Sequence, residues 1–360
     1  MRRWQELLPE GSAVPFARFM ELALYHPELG YYCKPRKRYP AGPGGDFVTA
    51  PTAHPSFART WARLFQTLAR RRGSALVLVE LGAGDGSFLR PLLAASQGEV
   101  FQRVVAVEVS PAGRAALQAL GAVEVVADLG AASPPAGPVV VFASELYDAL
   151  PFHLVRGGKG GELEELFVDW EDGALRFKPG PPSSPALATY LERHGVRLLP
   201  GQVAEVRLAA APFHEHVLAW AGEEALVFVL DYGYPAATLY NPKLRRLGSL
   251  AGYKDQKPVA DVLALPGEVD ITAHVNWDDL HGAARKLHFA TAAAEPLGLF
   301  LARWGILEEA RKGLPPEAPT PWEVKALLAP AGMGSDLKVL VQGKGALWAC
   351  WQELEAASRL

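Results

Sequence analysis

Val79-Glu80-Leu81-Gly82-Ala83-Gly84-Asp85-Gly86 is the stretch on which the fold reading turns. The apolar run Val77–Leu81 before it reads as a strand buried on both faces. The glycines permit positive φ and let backbone approach a neighbour closely. Ser87–Ala95 then has helical spacing. Working outward, Val104–Glu108, Val123–Ala127 and Val139–Ala143 read as further buried strands. Ser110-Pro111 supplies a cap and first helical position for a helix running to Leu120. A helix from about Ala209 to Ala221 leads into a fifth parallel-type strand, Leu226–Asp231. Leu287–Ala294 and Leu337–Val341 complete the set. The expected class is α/β, a mostly parallel seven-stranded, Rossmann-like sheet with helices on both faces.

The flanking sequence has a different texture. Phe16, Phe19, Met20, Ala23 and Leu24 recur at helical spacing, and Ser12 is placed to cap that helix. A second helix is expected from about Pro55 to Arg70, with Phe57, Trp61, Leu64, Phe65 and Leu68 on one face. Between them, Lys34, Arg36, Lys37 and Arg38 precede a Gly/Pro loop at Gly42–Gly45. Such a cluster is usually a solvated loop; its alternative use is to dock an acidic patch. After Pro151 the pattern alternates around glycine turns through Lys178, which suits antiparallel hairpins. The expected organisation is a helical region with a covering loop (1–72), a first core segment (73–150), a β-hairpin insertion (151–201), returning core (202–234), an insertion over the active edge (235–280), and the rest of the core with a C-terminal helix (281–360).

Composition narrows the class. Of 360 residues, 49% are hydrophobic and 21% charged, the balance of a soluble chain with a sizeable core. Thirty-six basic and 39 acidic residues leave a net charge of -3, so binding of nucleic acid by charge alone is not expected. Cys33 and Cys350 stand far apart, which excludes a disulfide framework, and no Cys/His spacing suggests a metal site. The apolar runs are strand-length, and Met1–Gly11 lacks the apolar stretch of a secretory signal. A cytoplasmic location without membrane insertion is the expectation.

The glycine loop invites a ligand. Glu108 ends the next strand, 22 residues after Gly86, where a carboxylate can accept from both hydroxyls of a ribose. Asp128 ends the third strand and can reach an adenine amino group. A nicotinamide dehydrogenase is the rival, yet the spacing here is GxGxG and not GxGxxG. Acids also end four strands, at Glu108, Asp128, Glu145 and Asp231, and a diphosphate is unwelcome among them. A cationic cofactor fits better, and S-adenosylmethionine carries both a sulfonium and an ammonium. Its expected contacts are Glu80, Gly82, Ala83, Gly84, Gly86, Glu108, Val109, Asp128 and Leu129. The structural alternative is a tight strand-to-helix turn with capping acids.

With these residues in place, the chain resembles the class I S-adenosylmethionine methyltransferases. More narrowly it resembles the MidA-like family, assembly factors of respiratory complex I that act as protein arginine methyltransferases. The resemblance rests on Gly30-Tyr31-Tyr32, Gly45-Asp46-Phe47-Val48-Thr49, the Glu80–Gly86 loop, Glu145–Pro151, Asp231-Tyr232-Gly233 and Asp270-Ile271-Thr272-Ala273-His274-Val275. It implies a methyltransferase acting on an arginine of a protein, by resemblance a complex I subunit. A homodimer is compatible with it. Departures are visible. Ala50-Pro51-Thr52 stands where the family has Ser-Pro-Glu, Ser144-Glu145 where it has Asn-Glu, and the stretch between Tyr253 and Asp270 is remodelled.

An arginine acceptor poses an electrostatic problem, because guanidinium is always protonated and must approach a sulfonium. At ~4 Å and an effective dielectric of ~20 the repulsion is about 4 kcal/mol. Glu145 and Asp148 are the candidate catalytic clamp, Glu145 also reaching the cofactor. The alternative is that Ser144 caps a short helix whose dipole the two acids merely favour. Asp46, Phe47 and Thr49 resemble the segment that folds over the cofactor, Asp46 accepting from its ammonium and Thr49 bonding its carboxylate. Asp231 and Tyr232 are candidate acceptor-pocket residues, and His274 a candidate proton acceptor. A small-molecule methyltransferase and a noncatalytic assembly chaperone retaining the fold remain open at this point.

Overall fold

The computed structural model describes residues 2–34, 49–315 and 318–358. The chain forms two compact units. One comprises Met1–Arg36, Tyr147–Phe213 and Gly233–Gly282; the other comprises Lys37–Leu146, His214–Tyr232 and Ala283–Leu360.

The larger unit is built on the expected sheet. Its strands are β1 (Leu76–Leu81), β2 (Phe101–Val107), β3 (Glu124–Val126), β4 (Val139–Ser144), β5 (Ala225–Tyr234, in this unit as far as Tyr232) and β6 (Leu337–Lys344). Their spatial order is β6-β5-β4-β1-β2-β3, with Ala290–Thr291 on the far edge of β6. β5, β4, β1, β2 and β3 run parallel, and β6 returns antiparallel against β5. All six residues of β1 are buried, as a strand covered on both faces requires. The chain order reverses between β1 and β4, and ligands of such sheets bind beyond the strand ends at that point.

Aromatic rings fill the layer between this sheet and its helices. Phe142 of β4 stacks on Phe88 with centroids 4.1 Å apart, and its edge meets Trp61 at 4.9 Å. Trp61 lies on the helix Ser56–Arg72 and also stacks on Phe300 at 4.8 Å. That helix stops at Gly73, whose φ of 71° suits the left-handed cap. Ser110 caps the helix Pro111–Gln118 as its sequence suggests, accepting from the Gly113 N–H at 3.0 Å.

Two expectations change. Leu287–Ala294 is not one strand. Ala290–Thr291 and Glu295–Pro296 each pair briefly with β6, and Pro296 has no N–H to carry the second pairing further. Ser12 does not cap the first apolar helix, which spans Phe16–Tyr25 and has no side-chain cap. Val14 and Pro15 instead pair with Val168 and Phe167, drawing the preceding chain into an extended strand.

The smaller unit holds a five-stranded antiparallel sheet. Val14–Pro15, Leu163–Glu171, His153–Gly157 and Val203–Val206 follow one another across it, and Ala174–Gly180 pairs with Leu163–Glu171. Asp172 and Gly173 turn that hairpin with φ of 52° and 74°, the mirror-image turn that matches strand twist. A second sheet joins Ala251–Lys254, Lys257–Pro258 and Asp270–Thr272.

Truncating the fully buried ring of Phe142 to Ala is expected to cost about 3–5 kcal/mol, read as a lowered urea midpoint with an unchanged slope. A cost below about 1 kcal/mol would contradict a close-packed ring layer.

Candidate functional site

In the larger unit β1 ends in three left-handed glycines, Gly82, Gly84 and Gly86, with φ of 70°, 56° and 82°. Only glycine takes such a series without strain. The turn is tied to β2 by the N–H groups of Gly82 and Ala83, which both donate to the Val107 carbonyl. Glu108 makes the decisive link. Its Oε2 accepts from the Gly84 N–H at 2.8 Å and its Oε1 from the Ser110 N–H at 2.7 Å. Gly113 allows the approach: a Cβ there would sit 2.6 Å from the Gly84 carbonyl oxygen and 2.7 Å from Glu108 Cγ. Asp85 turns back to accept from the N–H and hydroxyl of Ser87 at the head of the following helix.

Glu80 lies beneath the loop, 5% exposed, and its buried Oε2 has no hydrogen-bond partner among the described residues. Burial, with the Glu108 and Asp85 carboxylates adding to it, pushes its carboxyl well above the usual range. Neither Glu80 nor Asp85 forms an ion pair among the described residues. The Glu108 and Asp85 carboxylates, with the raised Glu80 carboxyl beneath them, make a cradle that a cationic ligand favours and a diphosphate does not. Val109 is exposed beside Glu108, and Asp128 is exposed at the end of β3, its Oδ1 accepting from the Gly130 N–H at 2.7 Å. The Leu129 side chain is buried.

Glu145 follows β4 in the same unit. No helix begins there, so Ser144 is not a helix cap; Glu145 itself adopts a left-handed φ of 51°. That conformation costs a non-glycine residue about 1–3 kcal/mol and is found at functional positions. Its N–H donates to Leu230 at 2.8 Å, and its Oε1 accepts from the Ala50 N–H at 3.1 Å. Leu146 lies against the first glycine of the loop: a Cβ on Gly82 would be 3.1 Å from its Cδ1. Asp231 is fully buried, its Oδ1 accepting from the Tyr232 N–H at 2.8 Å. Thr49 and Thr52 form a reciprocal capping box on the short helix Ala50–Ala53, which gives the Thr at the altered family position a role. Asp46 and Phe47, like residues 35–38 of the basic cluster, lie outside the described residues.

The smaller unit joins three of the family-like motifs. Tyr32 donates to Asp270 Oδ1 at 2.7 Å, Thr272 donates to Asp148 Oδ2 at 2.8 Å, and Tyr25 donates to the Ala149 carbonyl at 2.9 Å. Arg207 binds them together. Its buried guanidinium donates to the carbonyls of Asp148 (2.9 Å), Leu150 (2.9 Å), Ala273 (3.1 Å) and His274 (3.2 Å). Burial raises the Asp148 carboxyl, against the lowering effect of the Thr272 hydroxyl and then Arg207. The His274 N–H donates to Ser249 Oγ at 3.0 Å, and its ring meets Tyr234 edge-on at 5.3 Å. Sequence reasoning assigned no part to Arg207, Thr272 or Gly113. Gly113 carries a readable signal, a glycine in the first turn of a helix; Arg207 carries none, since its partners are distant main-chain carbonyls.

A family model described as "Putative S-adenosyl-L-methionine-dependent methyltransferase" matches residues 56–294. The chain belongs to that family. The methyltransferase superposes on a superfamily member from Burkholderia thailandensis, crystallised with S-adenosyl-homocysteine, at a TM-score of 0.80 and 28% identity, covering 92% of this chain and 88% of that one. It is 27% identical to "Protein arginine methyltransferase NDUFAF7, mitochondrial" of Danio rerio, over 75% of this chain and 68% of the relative. The Homo sapiens protein of the same name is 28% identical over 76% and 66%. The chain thus spans about two thirds of the length of these vertebrate relatives. The class I methyltransferase fold, the S-adenosylmethionine cofactor and the MidA-like resemblance are borne out, and the dehydrogenase reading falls.

Two expectations follow. A cationic cofactor favours ionised Glu80, so binding releases a proton and tightens as pH rises through the raised Glu80 range. Calorimetry in buffers of different ionisation enthalpy reads this; Glu80→Gln abolishes the release. Arg207→Lys keeps the charge but cannot span four carbonyls, and should cost about 2–3 kcal/mol in a denaturant melt.

Proposed function

We propose that this methyltransferase modifies an arginine side chain of a protein and that Glu145 receives the guanidinium. The observation that carries the reading is a carboxylate held in a strained, left-handed conformation beside the glycine loop. The names of the relatives support it. S-adenosylmethionine supplies, when bound, a methyl group on a sulfonium. Glu145 offsets the repulsion between the two cations and orients the planar fork. Asp148, raised by burial, is a better proton acceptor than an ordinary Asp and takes the proton that the nitrogen loses. His274 is the other candidate acceptor for that single proton. Buried Asp231 fixes Tyr232, which lines the acceptor side. By the same resemblance the acceptor is a complex I subunit. No helix among the described residues is long and apolar enough to cross a membrane.

Labelled S-adenosylmethionine incubated with lysate from a strain lacking the protein should place label in a protein band that yields methylarginine on hydrolysis. Glu145→Gln, which keeps an oxygen for the Ala50 N–H, should lower transfer by about 100-fold or more with S-adenosyl-homocysteine affinity unchanged. Label in a small molecule, or full activity in the variant, contradicts the reading.

The proton-acceptor role has its own signature. Asp148 works only when ionised, so the rate falls as pH drops through its raised range. Thr272→Val removes a lowering hydrogen bond and should move that acidic limb to higher pH. A limb that stays in place removes Asp148 from the chemistry.

A further inference from the structure

The loop 242–248 of the smaller unit combines rigidity with exposed apolar and basic side chains. Leu247 is 77% exposed and Leu244 63%, and Lys243 and Arg246 point into solvent beside them. Lys243, Arg245 and Arg246 form no ion pair among the described residues. Nothing in the folding of the unit calls for two exposed leucines here, because neither contributes to a core.

The loop is nevertheless firmly held. Asn241 accepts the N–H groups of Lys243 through its side chain at 3.0 Å and of Leu244 and Arg245 through its carbonyl at 3.0 and 2.9 Å. The Arg246 carbonyl accepts from the Val203 N–H at 2.9 Å, and its Nη2 donates to the Pro200 carbonyl at 2.7 Å. Buried Glu205 closes the base, Oε1 accepting from the N–H groups of Ser249 at 2.6 Å and Leu250 at 2.8 Å. Burial raises the Glu205 carboxyl, opposed by these same bonds.

The loop packs against Tyr234, and the residue that follows it, Ser249, meets His274. The Arg245 guanidinium lies 4.0 Å from the centroid of the Tyr234 ring, and the edge of that ring meets His274. Ser249 Oγ accepts the His274 N–H. A well-anchored, exposed apolar–basic surface therefore adjoins the segment carrying His274. Preordered apolar groups lose little entropy on binding and make good anchors.

We propose that the 242–248 loop docks the protein substrate through a segment that carries acidic side chains and an apolar residue, outside the modified arginine. The proposal rests on the reading that the acceptor is a protein. Charge complementarity selects an acidic partner: Lys243 and Arg246 are exposed beside the two leucines and form no ion pair among the described residues. The position beside His274 favours a substrate segment over a lipid surface, which has no reason to sit there.

The test uses the variant Lys243→Glu/Leu244→Ser/Leu247→Ser; the three native side chains make no hydrogen bond or ion pair among the described residues. Its melting temperature and S-adenosyl-homocysteine affinity are expected to match the wild type. With labelled S-adenosylmethionine and lysate from a strain lacking the protein, incorporation at low lysate should fall by about 10-fold, a loss typical of one or two anchors. Raising the lysate concentration should restore the maximal rate, which marks a KM effect. Added salt should slow the wild type more than the variant. Equal incorporation at low lysate overturns the proposal, as does a lower maximal rate with KM unchanged. Binding of the wild type, and not the variant, to vesicles of phosphatidylcholine and phosphatidylserine would assign the loop to a membrane instead. If the wild type labels no protein at all, the protein-acceptor reading fails and takes this proposal with it; label that reaches protein equally in both enzymes sinks the proposal alone.

Discussion

The Glu108 carboxylate holds the site together. One oxygen takes the N–H of Gly84, the other the N–H of Ser110. The glycine turn after β1 and the helix start after β2 are thereby fixed to each other across a single side chain. A carboxylate oxygen has a second lone pair, so the anchor retains capacity for a ligand hydroxyl while it shapes the loop. Turn-forming Asp85 adds a second carboxylate to the same loop, and buried Glu80, its carboxyl raised, stands ready to lose a proton to a cationic ligand. This arrangement opposes folding slightly and favours a cation strongly. Such a cluster of carboxyls suits a sulfonium cofactor better than a dinucleotide.

A second constraint operates in the smaller unit, where three of the family-like motifs meet. Asp148 and Leu150 come from the segment after β4, and Ala273 and His274 from a segment more than a hundred residues later. Arg207 ties both through their carbonyls. A buried cation bonded to main chain fixes geometry without dictating side chains at the positions it holds. The Tyr32–Asp270 and Asp148–Thr272 bonds add specificity on top. The account therefore assigns charge placement to one unit and loop placement to the other.

Much of this was legible in the residues. Continuous apolar strands, the glycine turn and Ser110-Pro111 encode local geometry, and local geometry is what a sequence displays. Glu108 and Asp128 could be placed because strand ends in a parallel sheet share an edge. The failures have physical causes too. Ser12 loses its helix because Val14 and Pro15 find a strand partner near residue 168, a pairing no local pattern announces. Ser144 caps nothing because Glu145 turns left-handed, a conformation propensity alone would not assign to glutamate. Arg207 stayed invisible because its partners are carbonyls, which every residue possesses.

The most direct measurement is a crystal structure of the protein with S-adenosyl-homocysteine. The account predicts the nucleoside lying along Gly82–Gly86, with its ribose hydroxyls on Glu108 and its adenine beside Val109 and Asp128. A ligand lodged elsewhere, or a Glu108 carboxylate turned away from the ribose, would contradict it.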